Sequence, residues 1–436
     1  MKKEVAVFWF RRDLRLNDNT GLFKALSSDL PVLPVFIFDS EILKELPPND
    51  ARVSFIHKQV FKMREVLQDR YDTSLAVYHG KPADIFKDLL TDWEVKAVYT
   101  NRDYEPYATQ RDGEVRSLLQ SAGVSLHTYK DQVIFEKDEV VKGDGDPYVV
   151  YTPYMKKWKE VLGEVGAPQA MPSESRLEQL VRRKDLPFLS LEDIGFETSA
   201  ISVPEYNLDE SLIAQYENTR NIPSKDGTSH LGPHLRFGTV SIRKVLQRAM
   251  EAENETFWNE LIWREFFMQI LWHFPQTVDE AFKKQYDRIR WRNQEEEFER
   301  WKQGKTGYAL VDAGMRQLNQ TGYMHNRVRM LVASFLCKHL LIDWRWGEAY
   351  FAEKLLDYEL ASNVGNWQWA AGSGVDAAPY FRIFNPMTQA DKFDKDRTYI
   401  RKWIPEFDTE EYPEKMVAHK EARERCLETY KKALNN

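Results

Sequence analysis

Five short apolar runs, VAVFWF (5–10), PVLPVFIF (31–38), SLAVYH (74–79), VKAVYT (95–100) and VSLHTY (124–129), constrain the folding of this chain more than anything else in it. They read as buried strands, and helical patterns separate them. Strands that are apolar throughout are covered on both faces, as in parallel sheets. The alternation therefore predicts an N-terminal α/β domain over residues 1–130, a doubly wound, parallel, five-stranded sheet with right-handed crossovers. No GxGxxG follows the first strand, so a dinucleotide site of the usual kind is not expected there. Clefts at strand C-termini in such sheets nonetheless commonly hold ligands.

Beyond the sheet the signals change. Residues 131–204 carry scattered Pro and Gly (GDGDPY, GAPQAMPSES) and the charged run RLEQLVRRKD, and read as a connector. Tyr148, Tyr151, Tyr154 and Trp158 are expected to pin it by packing, because long structureless loops are uncommon in compact proteins. Helical patterns then run through 205–436, an all-α domain. With 436 residues, 42% hydrophobic and 30% charged, the chain is expected to be soluble with a large core. Cys337 and Cys426 are too few for a disulfide framework and fit a reducing cytoplasm. The start, MKKEVAVFWFRR, is too short for a signal peptide, and no run reaches membrane-spanning length. A net charge of −7 means that any nucleic-acid face must be a local patch. Nine histidines show no ligand pair, and no metal is expected.

Three helical stretches mix chemistries that packing alone does not call for. In DYELASNVGNWQWAAGSG (357–374), Glu359, Asn363 and Trp367 stand at i, i+4 and i+8, a stripe of carboxylate, amide and indole. It suits either a planar, polar-edged, redox-capable ligand or a helix end with satisfied polar groups. In TFWNELIWREFFMQILWHF, Glu260, Trp263, Arg264 and Phe267 share a face, too polar for a seam and too aromatic for a solvated one. Such a face suits a base edge, a stacking surface and a phosphate, or else an aromatic core helix with a surface ion pair. In YMHNRVRMLVASFLCKHLL, Asn326 and Met330 lie one turn apart above Ala333 and Cys337. Finally, GTSHLGPHL places Thr228 and Ser229 ahead of Gly232 and Pro233, either an anion cradle or an ordinary capped helix start.

DYELASNVGNWQWAAGSG, followed by DAAPYFRIFNPMTQADKF and preceded by TGYMHNRVRMLVASFLCKHLLIDWRWGEAYF, resembles the flavin-binding core of the cryptochrome/photolyase superfamily. FWFRRDLRLNDNTGL, GTSHLGPHL and WNELIWREFF extend the likeness over nearly the whole chain, with the best fit to class I cyclobutane pyrimidine dimer photolyases. The resemblance implies FAD, held by Tyr216, by the diphosphate loop Thr228, Ser229, His230, Leu231 and Gly232, and by Arg329, Asp357, Glu359 and Asn363. Relatives often have Ser at the position of Gly232 and Asp at that of Glu359. Arg329 would pair with Asp357 beside the flavin, and Asn363 would face its N5 and favour the fully reduced anion. Trp291, Trp344 and Trp367 match an electron-transfer chain.

The implied partner is UV-damaged DNA. Glu260 would hydrogen-bond the damaged pyrimidines, Trp263 and Trp369 would stack on them, and Asn326 and Met330 would line the lesion pocket. Arg220, Arg264, Arg327 and Arg382 match phosphate contacts, with Lys283, Lys284, Arg288, Arg290 and Arg292 as candidate extensions of the patch. The implied reaction is light-driven: a flipped-out dimer receives one electron from reduced, excited flavin, splits, and returns it. The rival readings are a cryptochrome, whose plant-type members have an acid at the position of Asn363, and a (6-4) photolyase, which uses histidines where Asn326 and Met330 stand. A generic flavin electron-transfer protein would explain neither the arginines nor Trp263. An antenna chromophore is a further expectation of unknown identity. Ala108 stands where folate-binding relatives carry a carboxylate, leaving a deazaflavin, a flavin or an empty cleft. A cytoplasmic monomer is expected.

Overall fold

In the computed structural model, which describes residues 3–435, the two strands β1 (Glu4–Phe10) and β2 (Val32–Asp39) at the middle of the sheet are buried almost throughout. β1 is buried from Val5 onward. With β2, β3 (Ala76–Gly80), β4 (Glu94–Asn101) and β5 (Ser125–Tyr129) it forms a five-stranded sheet of order β3-β2-β1-β4-β5. Every neighbouring pair is parallel, Phe8 facing Pro34 on one side and Tyr99 on the other. The five apolar runs are these five strands, displaced by at most two residues at an end.

Alternate side chains of a strand point to opposite faces. Ala6, Phe8 and Phe10 enter one core with Leu22 of α1 (Thr20–Leu26) and Val53, Val60 and Met63 of α3 (Ala51–Arg70), reached through the short α2 (Ser40–Leu43). Val5, Val7 and Trp9 enter the other with Phe86 and Leu89 of α4 (Pro82–Asp92) and Val115 and Leu119 of α5 (Pro106–Ser121). The sheet is thus doubly wound, as expected. Strand order reverses at β1, and there the C-terminal ends of β1 and β4 are joined by polar groups. Asn101 Nδ2 donates to Asp13 Oδ2 at 2.6 Å and Arg12 to Asp103 at 3.0 Å and Glu105 at 3.1 Å.

The remaining helices are α6 (Tyr151–Val165), α7 (Glu210–Thr219), α8 (Leu231–Arg236), α9 (Ile242–Met250), α10 (Thr256–His273), α11 (Glu295–Lys302), α12 (Ala309–Thr321), α13 (Asn326–Ser334), α14 (Trp344–Lys354), α15 (Leu360–Ala371), α16 (Pro386–Phe393), α17 (Thr398–Trp403) and α18 (His419–Leu434). Packing gathers residues 1–136, 161–206 and 230–251 into one unit and 137–160, 207–229 and 252–436 into a second.

This division runs differently from 1–130, 131–204 and 205–436, for two physical reasons. Residues 131–204 contain a helix, α6, whose Tyr154 and Trp158 are buried, Trp158 Nε1 donating to Glu265 of α10 at 2.7 Å. Helices α8 and α9 belong to the sheet's unit because Arg243 is buried there between Asp18 (2.8 Å) and Asp131 (2.9 Å), the latter also bound by Arg15 at 2.6 Å. Such a cluster holds only when every charge keeps its partners.

The core of the second unit is aromatic and aliphatic, built on Trp301, Leu318, Val328, Leu336, Trp344, Phe351 and Trp367. After Ser334 the chain leaves α13 through a π-helical turn, Phe335–Leu340. That turn breaks the expected stripe from Asn326 down to Cys337, because the register shifts before Cys337 is reached. No helix among the described residues is long and apolar enough to cross a membrane.

Candidate functional site

The helix expected to carry the flavin-facing stripe begins one residue later than the stripe requires. Glu359 is the extended N-cap of α15, its carboxylate accepting the Ser362 N–H at 3.1 Å, so it is a cap and not a member of the helical face. Asn363 and Trp367 do lie one turn apart, both buried. The Asn363 side-chain amide donates to Glu348 of α14, to its backbone oxygen at 3.1 Å and to Oε1 at 2.8 Å. Burial raises the Glu348 carboxyl above the ordinary range, with Asn363 partly offsetting it. Glu348 was not anticipated from the sequence. The available signal was an acid on an aromatic helix, one turn after Trp344.

Arg329 of α13 meets Asp357 in a bidentate pair at 3.1 and 2.9 Å, while its Nε donates to the Met324 carbonyl at 2.6 Å. Burial opposes the charge, but Asp357 outweighs it and raises Arg329. The Thr228 hydroxyl lies 3.2 Å from Tyr323 Oη, whose ring sits 5.6 Å from the Arg329 guanidinium. Ser229 is half-buried, its carbonyl accepting from Asn207 N–H at 2.9 Å. His230, in the left-handed region at φ 52°, precedes α8, which Leu231 and Gly232 open within the first unit.

Beside Arg329, His325 caps α13, its Nδ1 accepting the Arg327 N–H at 3.2 Å. Its buried Nε2 has no hydrogen-bond partner in the protein. Burial first, then Arg329, Arg327 and Arg220, push the imidazole down to about 4. A neutral orphan donor among arginines, next to hydroxyls, is the donor set an anionic, phosphate-bearing group requires. These residues therefore fit FAD.

A second group of side chains lines α7, α10 and α13. Glu260 and Arg220, expected as two separate DNA contacts, instead form an ion pair with each other. Burial raises the Glu260 carboxyl and Arg220 works against it. The Arg220 guanidinium also lies 5.5 Å from the Tyr216 ring, and Tyr216 packs edge-on against Phe257 at 5.1 Å. Trp263 and Arg264 are half-buried, with Phe267 buried beside them, so the expected α10 face exists. Arg327 lies 4.5 Å over the Phe393 ring, with Nε 3.2 Å from Asn221 Oδ1 and Nη1 3.7 Å from Met330 Sδ.

Asn326 is exposed at the start of α13 and Met330 is half-buried. Arg382 is exposed, and its carbonyl accepts from the buried Lys338 at 3.0 Å. Arg292 is held by Glu297 at 2.8 Å. Trp291 is half-buried and meets Tyr430 edge-on at 6.1 Å, Trp369 is half-buried, and Trp344 is buried under the Arg345 guanidinium at 4.7 Å. Trp367 meets Phe351 at 4.9 Å and Trp301 at 6.2 Å. Among the described residues no group of three or more His, Cys, Asp or Glu is placed to hold a metal ion.

Residues 6–173 match the family model of DNA photolyase, and residues 257–410 match that of the FAD binding domain of DNA photolyase. The deoxyribodipyrimidine photo-lyase of Halobacterium salinarum is 36% identical over 98% of this chain and 99% of its own. The chain belongs to the DNA photolyase family. The class III photolyase of Agrobacterium tumefaciens superposes with a TM-score of 0.88 at 33% identity, covering 100% of this chain and 99% of its own. The archaeal photolyase of Sulfolobus tokodaii, solved with two FAD molecules, gives 0.83 at 32% identity over 98% and 100%.

Within this photolyase fold, the position of Trp367 depends on one glycine. A Cβ on Gly347 of α14 would lie 2.2 Å from Trp367 Cη2 and 2.6 Å from Leu336 Cδ2. Gly347→Ala is expected to destabilise the protein by about 1–3 kcal/mol, as overpacking a filled core does, read by denaturant unfolding. Unchanged stability would show that the indole has room to move.

Proposed function

We propose that the chain is a deoxyribodipyrimidine photo-lyase, a carbon–carbon lyase that splits cyclobutane pyrimidine dimers in UV-damaged DNA under blue light. One observation supports this reading: in the helical unit Arg329 pairs with Asp357 beside the unpartnered Nε2 of His325, and Arg220 at the end of α7 pairs with Glu260 of α10, the helix that carries Trp263. When bound, FAD in its fully reduced anionic form supplies one electron to the lesion under light and recovers it after the ring opens. Tyr216, Thr228 and Ser229 would hold its diphosphate side. Arg329, Asp357, Glu359 and Asn363 would hold its ring side, where the half-buried Glu348 fixes the Asn363 amide. Trp291, Trp344 and Trp367 conduct electrons inward from the surface. An antenna chromophore would be a separate component, and identifying what the denatured protein releases counts it.

On the DNA side, Trp263 and Trp369 stack on the flipped-out pyrimidines. Arg220, Arg264, Arg327 and Arg382 meet phosphates, and Asn326 and Met330 line the pocket. Arg220 presents five N–H donors, so it can meet a phosphate while it pairs with Glu260. Burial raises the Glu260 carboxyl, which favours the form that donates a hydrogen bond to a pyrimidine carbonyl. Glu260 and Asn326 thereby stabilise the negative charge that arrives with the electron. A (6-4) photoproduct needs an acid to move a group between bases. Neither pocket position is a histidine, and His325 is neutral above about pH 4. Reduced protein under blue light is therefore expected to repair cyclobutane dimers and not (6-4) photoproducts, tested with both lesions in otherwise identical oligonucleotides. Repair of the (6-4) lesion alone would overturn the pocket assignment, and repair of neither would favour a cryptochrome.

An acidic protein that binds DNA through a few arginines should show a strong salt dependence, with a log-log slope of roughly −0.9 per phosphate neutralised. Arg327→Ala is expected to flatten that slope by about one unit in binding titrations across ionic strength. A slope unaffected by the substitution would leave Arg327 to its Asn221 and Phe393 contacts alone.

A further inference from the structure

Tyr151 is the first residue of α6 and lies within the segment read from sequence as a connector. Its ring is parallel to that of Trp263, with centroids 3.5 Å apart and 6° between planes. The phenol is buried and held at three points. Its hydroxyl donates to the Asn259 carbonyl at 2.9 Å, one turn ahead of Trp263 on α10. Its backbone N–H donates to Asp376 Oδ2 at 3.2 Å. Phe266 meets the ring edge-on at 5.9 Å. Burial first, and Glu260 second, raise the phenol, so it stays a hydrogen-bond donor at any physiological pH. Tyr151 thus lies flat on one face of Trp263, which also meets Phe267 at 5.6 Å and 27° and Phe266 edge-on at 5.7 Å, while Trp263 as a whole stays half-exposed.

We propose that Tyr151 is a positioning residue for lesion recognition: a fixed backing plate that holds the Trp263 indole as a stacking platform, on which a flipped-out pyrimidine forms the third layer. This rests on the reading of Trp263 as the surface that meets the lesion. An indole without backing samples several rotamers, and ordering it on binding costs affinity, whereas a pre-stacked indole is already in place. Normal duplex keeps its bases inside the stack and does not use the platform. The backing therefore raises discrimination between damaged and undamaged DNA more than it raises binding in general.

The test measures affinity by fluorescence anisotropy for a labelled duplex containing one thymine cyclobutane dimer and for the same duplex without it. It uses the full-length, flavin-loaded protein and its Tyr151→Phe, Tyr151→Leu and Tyr151→Ala variants. The ratio of damaged to undamaged affinity is expected to fall about 2- to 12-fold in the Leu and Ala variants, the equivalent of one aromatic pair. Phe keeps the ring and is expected to stay within about twofold of wild type on the same scale. If Ala fails to fold, Leu carries the test, since it fills the space without stacking. An unchanged ratio in the Leu variant overturns the proposal. So does a parallel loss on both duplexes, or a Phe variant as impaired as Leu. Wild-type protein that does not discriminate would instead refute the lesion reading of Trp263, while discrimination lost in Trp263→Ala and kept in Tyr151→Leu would refute the backing role alone.

Discussion

Replacing Arg329 by Met is expected to destabilise the protein by about 3 kcal/mol and to give preparations that no longer retain FAD. The substitution keeps most of the side-chain length but leaves Asp357 a partly buried carboxylate without its cation. Breaking one half of a buried pair costs about 3–5 kcal/mol, and side-chain exposures of 23% and 17% place this pair at the lower end. The loss has a second source: Arg329 Nε also satisfies the Met324 carbonyl just ahead of the His325 cap, and that acceptor is orphaned as well. Denaturant unfolding of the single variant and of Arg329→Met with Asp357→Leu separates the two contributions. The double variant should recover part of the stability, because no charge is stranded, and none of the flavin. A single variant as stable as wild type would mean that water replaces the guanidinium at no cost.

Trp263→Ala is expected to weaken binding to dimer-containing DNA by about 1–3 kcal/mol, or about 5- to 150-fold. Ala is the best helix former, so α10 should persist and the change should report lost stacking instead of unfolding. The Tyr151 ring, one layer behind, would be uncovered and could accept a base only if that base moved deeper by a ring thickness. Residual discrimination in Trp263→Ala that vanishes when Tyr151 is also replaced would place the second ring in that role. Equal loss on damaged and undamaged duplex would instead assign Trp263 to packing.

The two units differ in how much of them was legible beforehand. β1 to β5 were readable because a parallel strand covered on both faces must be apolar along its whole length, a purely local signature. Helix α6 is partly legible, since Tyr151, Tyr154, Trp158 and Leu162 recur at helical spacing with Lys156, Lys157, Lys159 and Glu160 between them, but the Pro- and Gly-rich sequence on both sides masks so short an element. Assignment of α8 and α9 to the sheet's unit rests on Arg243 finding Asp18 and Asp131, more than a hundred residues away in sequence. No local pattern encodes a contact of that kind.

The site divides along the same line. Residue identities and helical spacing were enough to place Asn363 one turn from Trp367, Asn326 one turn from Met330, and Glu260, Trp263 and Arg264 on one face of α10. What the residues do to one another was decided by tertiary structure. Glu359 turned into a cap because the chain enters α15 extended at that residue. Arg220 took Glu260 because α7 and α10 bring opposite charges together in a partly dehydrated place, where an unpaired charge is costly. Glu348 reached Asn363, and Tyr151 reached Trp263, across separate elements. Composition and periodicity determine which faces are buried, since burial follows the apolar pattern along one element. Partners are chosen only when elements meet, because hydrogen bonds and ring stacks act over a few ångströms between residues that sequence leaves far apart.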